Sequence, residues 1–446
     1  MIEKIFELMN EQPVNHRNLY QLLMDTNTVD IADVFEHLSR EKVVQMFRLL
    51  PKSMAADVFS YIEPENQQII VEALTDIEVN KIVEDLFVDD AVDFIGEMPA
   101  NVVKRVLQSV SVDTRKTINQ LLQYPEDSAG TIMTTEFVGL KEYNTVGRAF
   151  EIIRNIGVDK ETIYTCYVMR RDRLLVGVVS VKTLLLSDPE DTIGDIMDTN
   201  MVFAHTTDDQ EVIADLFKRY GLLSLPIVDK EGRLVGIVTV DDIVQVIEEE
   251  TTEDFEKMAA LTPSEDPYLK TSVVKLAKNR FTWLLLLMLS AAITGAILES
   301  AEEIISSVYL LAVMVPMIMD TAGNAGAQTS ALIIRGMAVG EIHARDVIRV
   351  LWREIRVGTL CGCALALVNF ARVFLMNGRD FWVSFTISVT LIVTVIIAKS
   401  VGCLLPILAK KIKIDPTVMA APLITTIADA SALLFYFYIA RIILKI

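Results

Sequence analysis

The feature that most constrains this chain is where its long apolar runs fall. A helix that crosses a bilayer needs about 20 mostly apolar residues. Five stretches answer that description, at 281–298, 304–334, 357–376, 382–406 and 417–439, and all lie after residue 270. The second is too long for a plain span and contains Pro316, Asp320, Gly323 and Gly326. A broken helix is expected there, which is tolerable at membrane depth only where the backbone faces protein or a wet cavity.

Charge divides at the same place. Of 41 Lys/Arg and 60 Asp/Glu, 16 and 10 lie after residue 270, so that half is net +6. The first 270 residues hold the other 25 basic and 50 acidic side chains, net −25. Such a field disfavours nucleic acid as a partner and favours cations. The N-terminus lacks a basic stretch followed by an apolar core and a cleavage site, so no signal peptide is read and the first half is expected in the cytoplasm. Cys166, Cys361, Cys363 and Cys403 form no zinc or disulfide framework and read as small packing residues.

Flanking charge orients the spans. Lys275, Lys278 and Arg280 precede the first, and Glu299, Glu302 and Glu303 follow it. Arg335, Arg345, Arg349, Arg353 and Arg356 lie between the second and third, and Lys410, Lys411 and Lys413 follow the fourth. The positive-inside rule places these basic groups in the cytoplasm, the N-terminus inside and the C-terminus outside. The loop 377–380, with only Arg379 beside Asp380, suits an external position.

Two elements of this half carry chemistry. Asp429 sits near the middle of the last span, where an ionised carboxylate costs several kcal/mol unless it is wet or paired. Thr425 and Thr426 precede it by four and three residues on one helical face, making a stripe of oxygens. Asp429 is therefore either a pore residue or an acid paired with a buried base, for which Lys399 and Arg372 lie too near span ends. The second element is the run Asp320-Thr-Ala-Gly-Asn-Ala-Gly-Ala-Gln328. Its small residues read as helix packing with interhelical amide bonds; alternatively, Asn324 and Gln328 form a polar wall beside Asp429. Oxygen-rich and poor in His and Cys, such a site suits a hard cation such as magnesium or calcium, held through its hydration shell.

The soluble half contains a duplication over residues 126–250. Leu175-Val-Gly-Val-Val-Ser-Val recurs as Leu234-Val-Gly-Ile-Val-Thr-Val, and Ile132-Met133 as Ile196-Met197. Each copy alternates β-rich runs with amphipathic helices such as 145–156 and 209–220, giving two α/β units that pack on each other. With Leu225-Pro-Ile-Val-Asp…Gly232-Arg-Leu-Val-Gly-Ile-Val-Thr-Val-Asp-Asp242, they resemble a tandem pair of CBS domains. That resemblance implies adenine nucleotide or ion sensing, with Thr239 and Asp242 as a ribose-holding turn and ATP as the candidate nucleotide. The first copy reads Ser180-Val-Lys-Thr183 and lacks the acid. Residues 1–125 read as short helices interrupted near Pro51, Pro64, Pro99 and Pro125, a small α-superhelical stack. Its Asp89, Asp90 and Asp93 fit a solvated helix N-terminus equally well as a sensing site. Residues 241–254 read as one acidic amphipathic helix leading to the first span. Its Glu249, Glu250, Glu253 and Asp254 are either simply solvated or bridged by cations to another acidic surface.

The fold expected is thus multidomain: an all-α superhelical domain (1–125), an α/β tandem CBS pair (126–245), a connecting helix and linker (246–270) and a five-helix α transmembrane domain (271–446). With Gly-Asn-x-Gly-x-Gln before Leu332-Ile-Ile-Arg335, and Asp415-Pro…Pro422-Leu-x-x-Thr-x-x-Asp429, the whole chain resembles the MgtE family of magnesium channels. The resemblance implies a homodimer in the lipid bilayer, its pore lined by the last span and the Gly-Asn-x-Gly-x-Gln helix. Asp429 from each copy would ring a hydrated magnesium ion. It further implies cytoplasmic Mg2+ sites that hold the channel shut. These fall on Asp89 and Asp93 against Asp242, on Glu211, on the backbone oxygen near Gly130, and on Glu250, Glu253 and Asp254 against Asp415. The chain departs from the family pattern at several positions. Gln245 and Gly221 stand where acids would strengthen these sites, Ala322 replaces a commoner glycine, and Asp320 adds an acid.

Two rival readings remain at this level. A membrane metalloprotease needs HExxH-type ligands, and His16, His37, His205 and His343 supply no such motif, so no enzyme is expected. A nucleotide-regulated transporter of another divalent cation (Mn2+, Co2+) or of another solute shares the architecture, because fold does not fix cargo.

Overall fold

The computed structural model describes residues 2–10, 16–264, 268–269, 271–376, 380–419 and 421–445. Arg379 and part of the 246–270 linker lie outside them. The chain forms two compact units, residues 1–247 and 248–446.

The first unit opens with helices α1–α10, each of six to ten residues, between Ile2 and Leu121. Caps written into the sequence end and restart them. Asn27 and Ser111 accept backbone N–H bonds at helix starts, Thr75 and Glu78 form a reciprocal capping box, and Pro64 occupies a first turn. Such short helices are marginal alone and depend on a shared core. Edge-on contacts run Phe35–Phe47–Phe59–Phe94 through that core. It continues into the second repeat through Ile213, Phe217, Ile227 and Ile243.

The duplication folds as two three-stranded sheets. One holds β1 (Phe137–Leu140), β2 (Thr162–Met169) and β3 (Leu175–Ser180); the other holds β4 (Ala204–His205), β5 (Ser224–Val228) and β6 (Leu234–Thr239). In each sheet the first pair is parallel and the second antiparallel. The register repeats: Thr165 faces Ser180 as Ser224 faces Thr239, with a bulge before Met169 and again before Val228. The helices of the pair are α11 (Val146–Ile156), α12 (Val181–Leu186), α13 (Ile193–Ile196) and α14 (Gln210–Tyr220). The recurring Ile-Met dipeptides explain how the copies interlock. Thr134, after the first, exchanges backbone hydrogen bonds with Ile237 of β6; Asp198, after the second, does so with Val178 of β3. Gly221 sits at φ +62° at the end of α14, a left-handed cap that favours glycine. An acid there would strain the cap, which is a structural reason for that departure.

α15 (Val240–Met258) runs out of β6 as a single helix, as the sequence suggests. Beyond it come α16 (Val273–Ser300), the short α17 (Glu302–Ser307), α18 (Tyr309–Ala338), α19 (Val347–Met376), α20 (Phe381–Lys411) and α21 (Ala421–Leu444). All but α17 are long and apolar enough to cross a membrane, five in number as expected. The second span corrects the sequence reading. It does not break at Pro316, Asp320, Gly323 or Gly326; α18 is continuous through all four, and the chain breaks at Val308 instead. Pro316 lies within the helix, and membrane helices tolerate such residues where neighbours re-satisfy the freed backbone group.

The glycines serve packing. A Cβ on Gly402 of α20 would run into the carbonyl oxygen of Gly326 on α18, so the two backbones meet at closest approach. Gly402→Ala should therefore cost about 1–3 kcal/mol, read as a lowered melting temperature of the detergent-solubilised protein. An unchanged melting temperature would show that α18 and α20 can part without loss. The cysteines only partly follow expectation: Cys166 and Cys403 are buried, while Cys361 and Cys363 lie exposed on α19.

Candidate functional site: an intramembrane acid and two acidic nests

Asp429 lies within α21, beside Gly323 of α18. A Cβ there would stand 3.5 Å from Asp429 Oδ1 and 3.2 Å from Thr425 Cγ2. The glycine thus lets α18 pack closely on α21 at Thr425, with the carboxylate in ordinary contact beside it. Asp429 Oδ1 is buried and has no hydrogen-bond partner among the described residues. The paired-acid reading fails on the positions of the bases. Arg372 donates to Asn369 Oδ1 at 2.9 Å and meets the Met317 sulfur at 3.2 Å. Lys399 is bonded to Thr329 at 3.2 Å.

Thr425 and Thr426 are half-buried, and both hydroxyls donate to the Pro422 carbonyl, at 2.8 and 3.0 Å. Their protons are used along the helix, which leaves oxygen lone pairs as the outward-facing groups. On α18 the faces separate. Ala322, Gly323, Ala325 and Gly326 are buried, whereas Asp320, Asn324 and Gln328, spaced by four, are exposed. The small residues thus pack against neighbouring helices, as one sequence reading has it, while the amide side chains lie on the opposite, exposed face. Asp320 lies within electrostatic reach of Asp429.

In the first unit, Asp89 begins α8 (Val88–Glu97) and is 7% exposed, so it is not a solvated N-terminal acid. Asp93 is exposed one turn on. Asp242 accepts a hydrogen bond from Thr239 and shares its surroundings with Asp89, Asp90, Glu161 and Asp241. Burial first, then the neighbouring acids, pushes Asp89 and Asp242 upward, Asp90 to about 6 and Glu161 to about 8. Sequence reasoning paired Asp89 with Asp242 and missed Glu161, which no local pattern marks; only the β2 register brings it here. Glu211 is exposed in the first turn of α14, its N–H bonded to the Asp209 cap. Gly130 donates its N–H to the Thr206 carbonyl, and the Tyr124 ring leaves no room for a side chain. In the first repeat, Ser180 and Thr183 hydroxyls pair at 2.8 Å where the second has Thr239 and Asp242.

In the second unit, Asp254 of α15 is pushed upward by burial and by Asp415, with Glu250 and Glu253 adding to it. Here the structure adds a residue that sequence reasoning passed over. Lys257 Nζ sits 2.7 Å from Glu253 Oε1 and 2.9 Å from Asp415 Oδ2. Burial would raise the Asp415 value, but hydrogen bonds from Thr417, then Lys257, bring it below the ordinary range. Lys257, four residues after Glu253, was legible as a helix-face pair; its reach to Asp415 was not. Among the described residues no three His, Cys, Asp or Glu side chains converge closely enough to ligate one metal ion directly.

Five spans with an acid turned onto a glycine face, in a chain that also carries acidic domains ahead of them in sequence, point to a class: a multi-pass transporter of divalent cations. Residues 315–439 match the family profile described as the divalent cation transporter MgtE, 26–127 the MgtE intracellular N domain, and 193–249 a CBS domain. The chain is 35% identical to the magnesium transporter MgtE of Thermus thermophilus over the full length of both. It is 31% identical to that of Bacillus subtilis, covering 99% of this chain and 96% of the relative. Among solved structures it is similar to the cytosolic domain of the Mg2+ channel MgtE in complex with ATP, at TM-score 0.52 and 34% identity over 55% of this chain and all of that one. The soluble part of a magnesium transporter gives 0.53 and 30%, over 56% of this chain and 99% of that one. The chain belongs to the MgtE family of magnesium transporters, which are transporters and not enzymes.

Proposed function

We propose that the protein is a magnesium channel for uptake, working as a homodimer in the lipid bilayer with its C-terminus outside. The observation that carries this is the buried, unpartnered oxygen of Asp429 beside Gly323. An acid at that depth needs water, an ion or a partner. Asn324, Gln328 and Asp320 point away from their own helix bundle, and polar groups facing hydrocarbon are costly. A second copy placed against that face would cover them and enclose a wet path. Asp429 then rings the hydrated ion, Thr425 and Thr426 add oxygens, and Asp320 supplies a second carboxylate near it. Magnesium sheds its water reluctantly, so oxygens that hold its hydration shell suit passage better than a tight cage. Liposomes holding the purified protein and a magnesium indicator test this: uptake no faster than in empty liposomes would overturn it.

Closure follows from the acidic nests. Without ions, Asp89, Asp90, Glu161 and Asp242 repel, and so do Glu250, Glu253, Asp254 and Asp415. A divalent ion between them turns repulsion into attraction and favours the compact arrangement. Cytoplasmic Mg2+ would thus close its own entry route, with Asp93, Glu211 and the backbone near Gly130 as outlying contacts. ATP at Thr239 and Asp242 is a further candidate ligand, supported by the ATP complex of a similar cytosolic domain. Asp242 also belongs to the nest, so nucleotide and ion would draw on one carboxylate.

Lys257 supplies one of those positive charges from within the chain. In magnesium-free buffer Lys257→Gln should raise protease cutting within 248–264 by about two- to fivefold, and millimolar magnesium should restore protection. Equal cutting in both proteins would show that the lysine does not hold the helix to Asp415.

A further inference from the structure

One buried cluster belongs to neither the ion path nor the nests. Glu354 of α19, Lys399 of α20 and Thr329 of α18 meet inside the membrane-spanning unit. Lys399 Nζ donates to Thr329 Oγ1 at 3.2 Å and stands 3.8 Å from Glu354 Oε2, and the Thr329 hydroxyl donates to that same oxygen at 3.1 Å. Thr329 is fully buried, and the Lys399 and Glu354 side chains are 9% and 14% exposed. The site is built rather than incidental. Gly358 of α19 lets α19 and α20 approach beside it: a Cβ there would lie 3.2 Å from Ile396 Cα, with the lysine stem in ordinary contact at 3.5 Å.

Neither charge could occupy this position alone, because a buried ion is tolerable only when paired and bonded. The pair therefore fixes the three helices to one another at this level. Thr329 directly follows Gln328, about 100° round the helix, so holding Thr329 from behind sets the direction in which Gln328 and Asn324 face. A 20° turn of α18 would move a side-chain tip at a radius of ~5–6 Å by about 2 Å. That is comparable to the whole distance between magnesium and its first-shell oxygens, about 2.0–2.1 Å.

We propose that Lys399, Glu354 and Thr329 form a positioning brace that sets the rotation of α18, and through it the ion selectivity of the path. The inference rests on the proposed reading of α18 and α21 as the pore walls. It involves no contact between the brace and the ion.

The test uses the full-length protein in liposomes and compares initial rates of Mg2+ and Ca2+ entry. Lys399→Met leaves Glu354 buried without its base, and the Mg2+ rate should fall by about tenfold or more. The double variant Lys399→Met/Glu354→Gln removes both charges and should recover most of that rate. Its Mg2+ to Ca2+ ratio should nevertheless stay about threefold or more below the wild type, because the anchor of α18 is gone. Thr329→Val removes only the bridging hydroxyl and should lower the ratio with little change in the Mg2+ rate; a merely stabilising role would not move that ratio. Wild-type ratios in both the double variant and Thr329→Val would overturn the proposal, also where Lys399→Met fails to fold. Asp429→Ala serves as the control. If it keeps full flux the pore reading fails; if it loses flux while the ratios hold, the brace alone fails.

Discussion

With divalent ions removed, residues 1–247 of the full-length protein should be cut about tenfold faster near pH 8 than near pH 6, and millimolar magnesium should erase the difference. The nest of Asp89, Asp90, Glu161, Asp241 and Asp242 sets this expectation. Burial and mutual repulsion hold Asp90 up at about 6 and Glu161 at about 8, with Asp89 and Asp242 also raised. An unfolded carboxyl titrates near 4. Between about pH 4 and these raised values the compact form binds more protons than the open one, so its stability falls as pH climbs through that window. One unit of pKa corresponds to a factor of about ten in the equilibrium. As pH climbs through these values the protons leave, and a magnesium ion can supply the missing positive charge.

Cutting rates normalised to an unstructured substrate would separate this effect from the protease's own pH dependence. Asp89→Asn/Asp242→Asn should flatten the pH response and weaken the magnesium response together. A nest that ignored both pH and magnesium would remove the physical basis for closure by cytoplasmic ions.

The membrane half was largely legible because bilayer physics leaves few options: length and hydropathy alone marked out five spans. The CBS pair was legible through its internal duplication, which even carried the interlocking Ile-Met segments. What escaped were contacts made by side chains far apart in sequence. Glu354 stood among the arginines 349, 353 and 356 and looked like part of a cytoplasmic loop. α19 instead begins at Val347 and turns that one acid inward to Lys399. Lys399 itself was weighed only as a partner for Asp429. Pro316 and the glycines suggested a break, because local propensity was read without the neighbouring helices that keep α18 continuous. Glu161 entered the nest through strand register alone.

The central claim is that Asp429 stands in the ion path. Its removal should have the largest effect of any single change, because its Oδ1 is buried without a hydrogen-bond partner among the described residues. In the proposed dimer two such carboxylates face one hydrated divalent ion, where little water screens their charge. Removing a preorganised charge from such a site costs about a hundredfold or more in rate. Asp429→Asn keeps the shape while losing the charge, so it separates electrostatics from packing. If charge is what matters, it should fall nearly as far as alanine. The most direct measurement is magnesium uptake into liposomes by equal amounts of folded wild-type and Asp429→Ala protein. On the proposed reading, uptake by the variant drops to the level of protein-free liposomes; undiminished uptake would contradict the account.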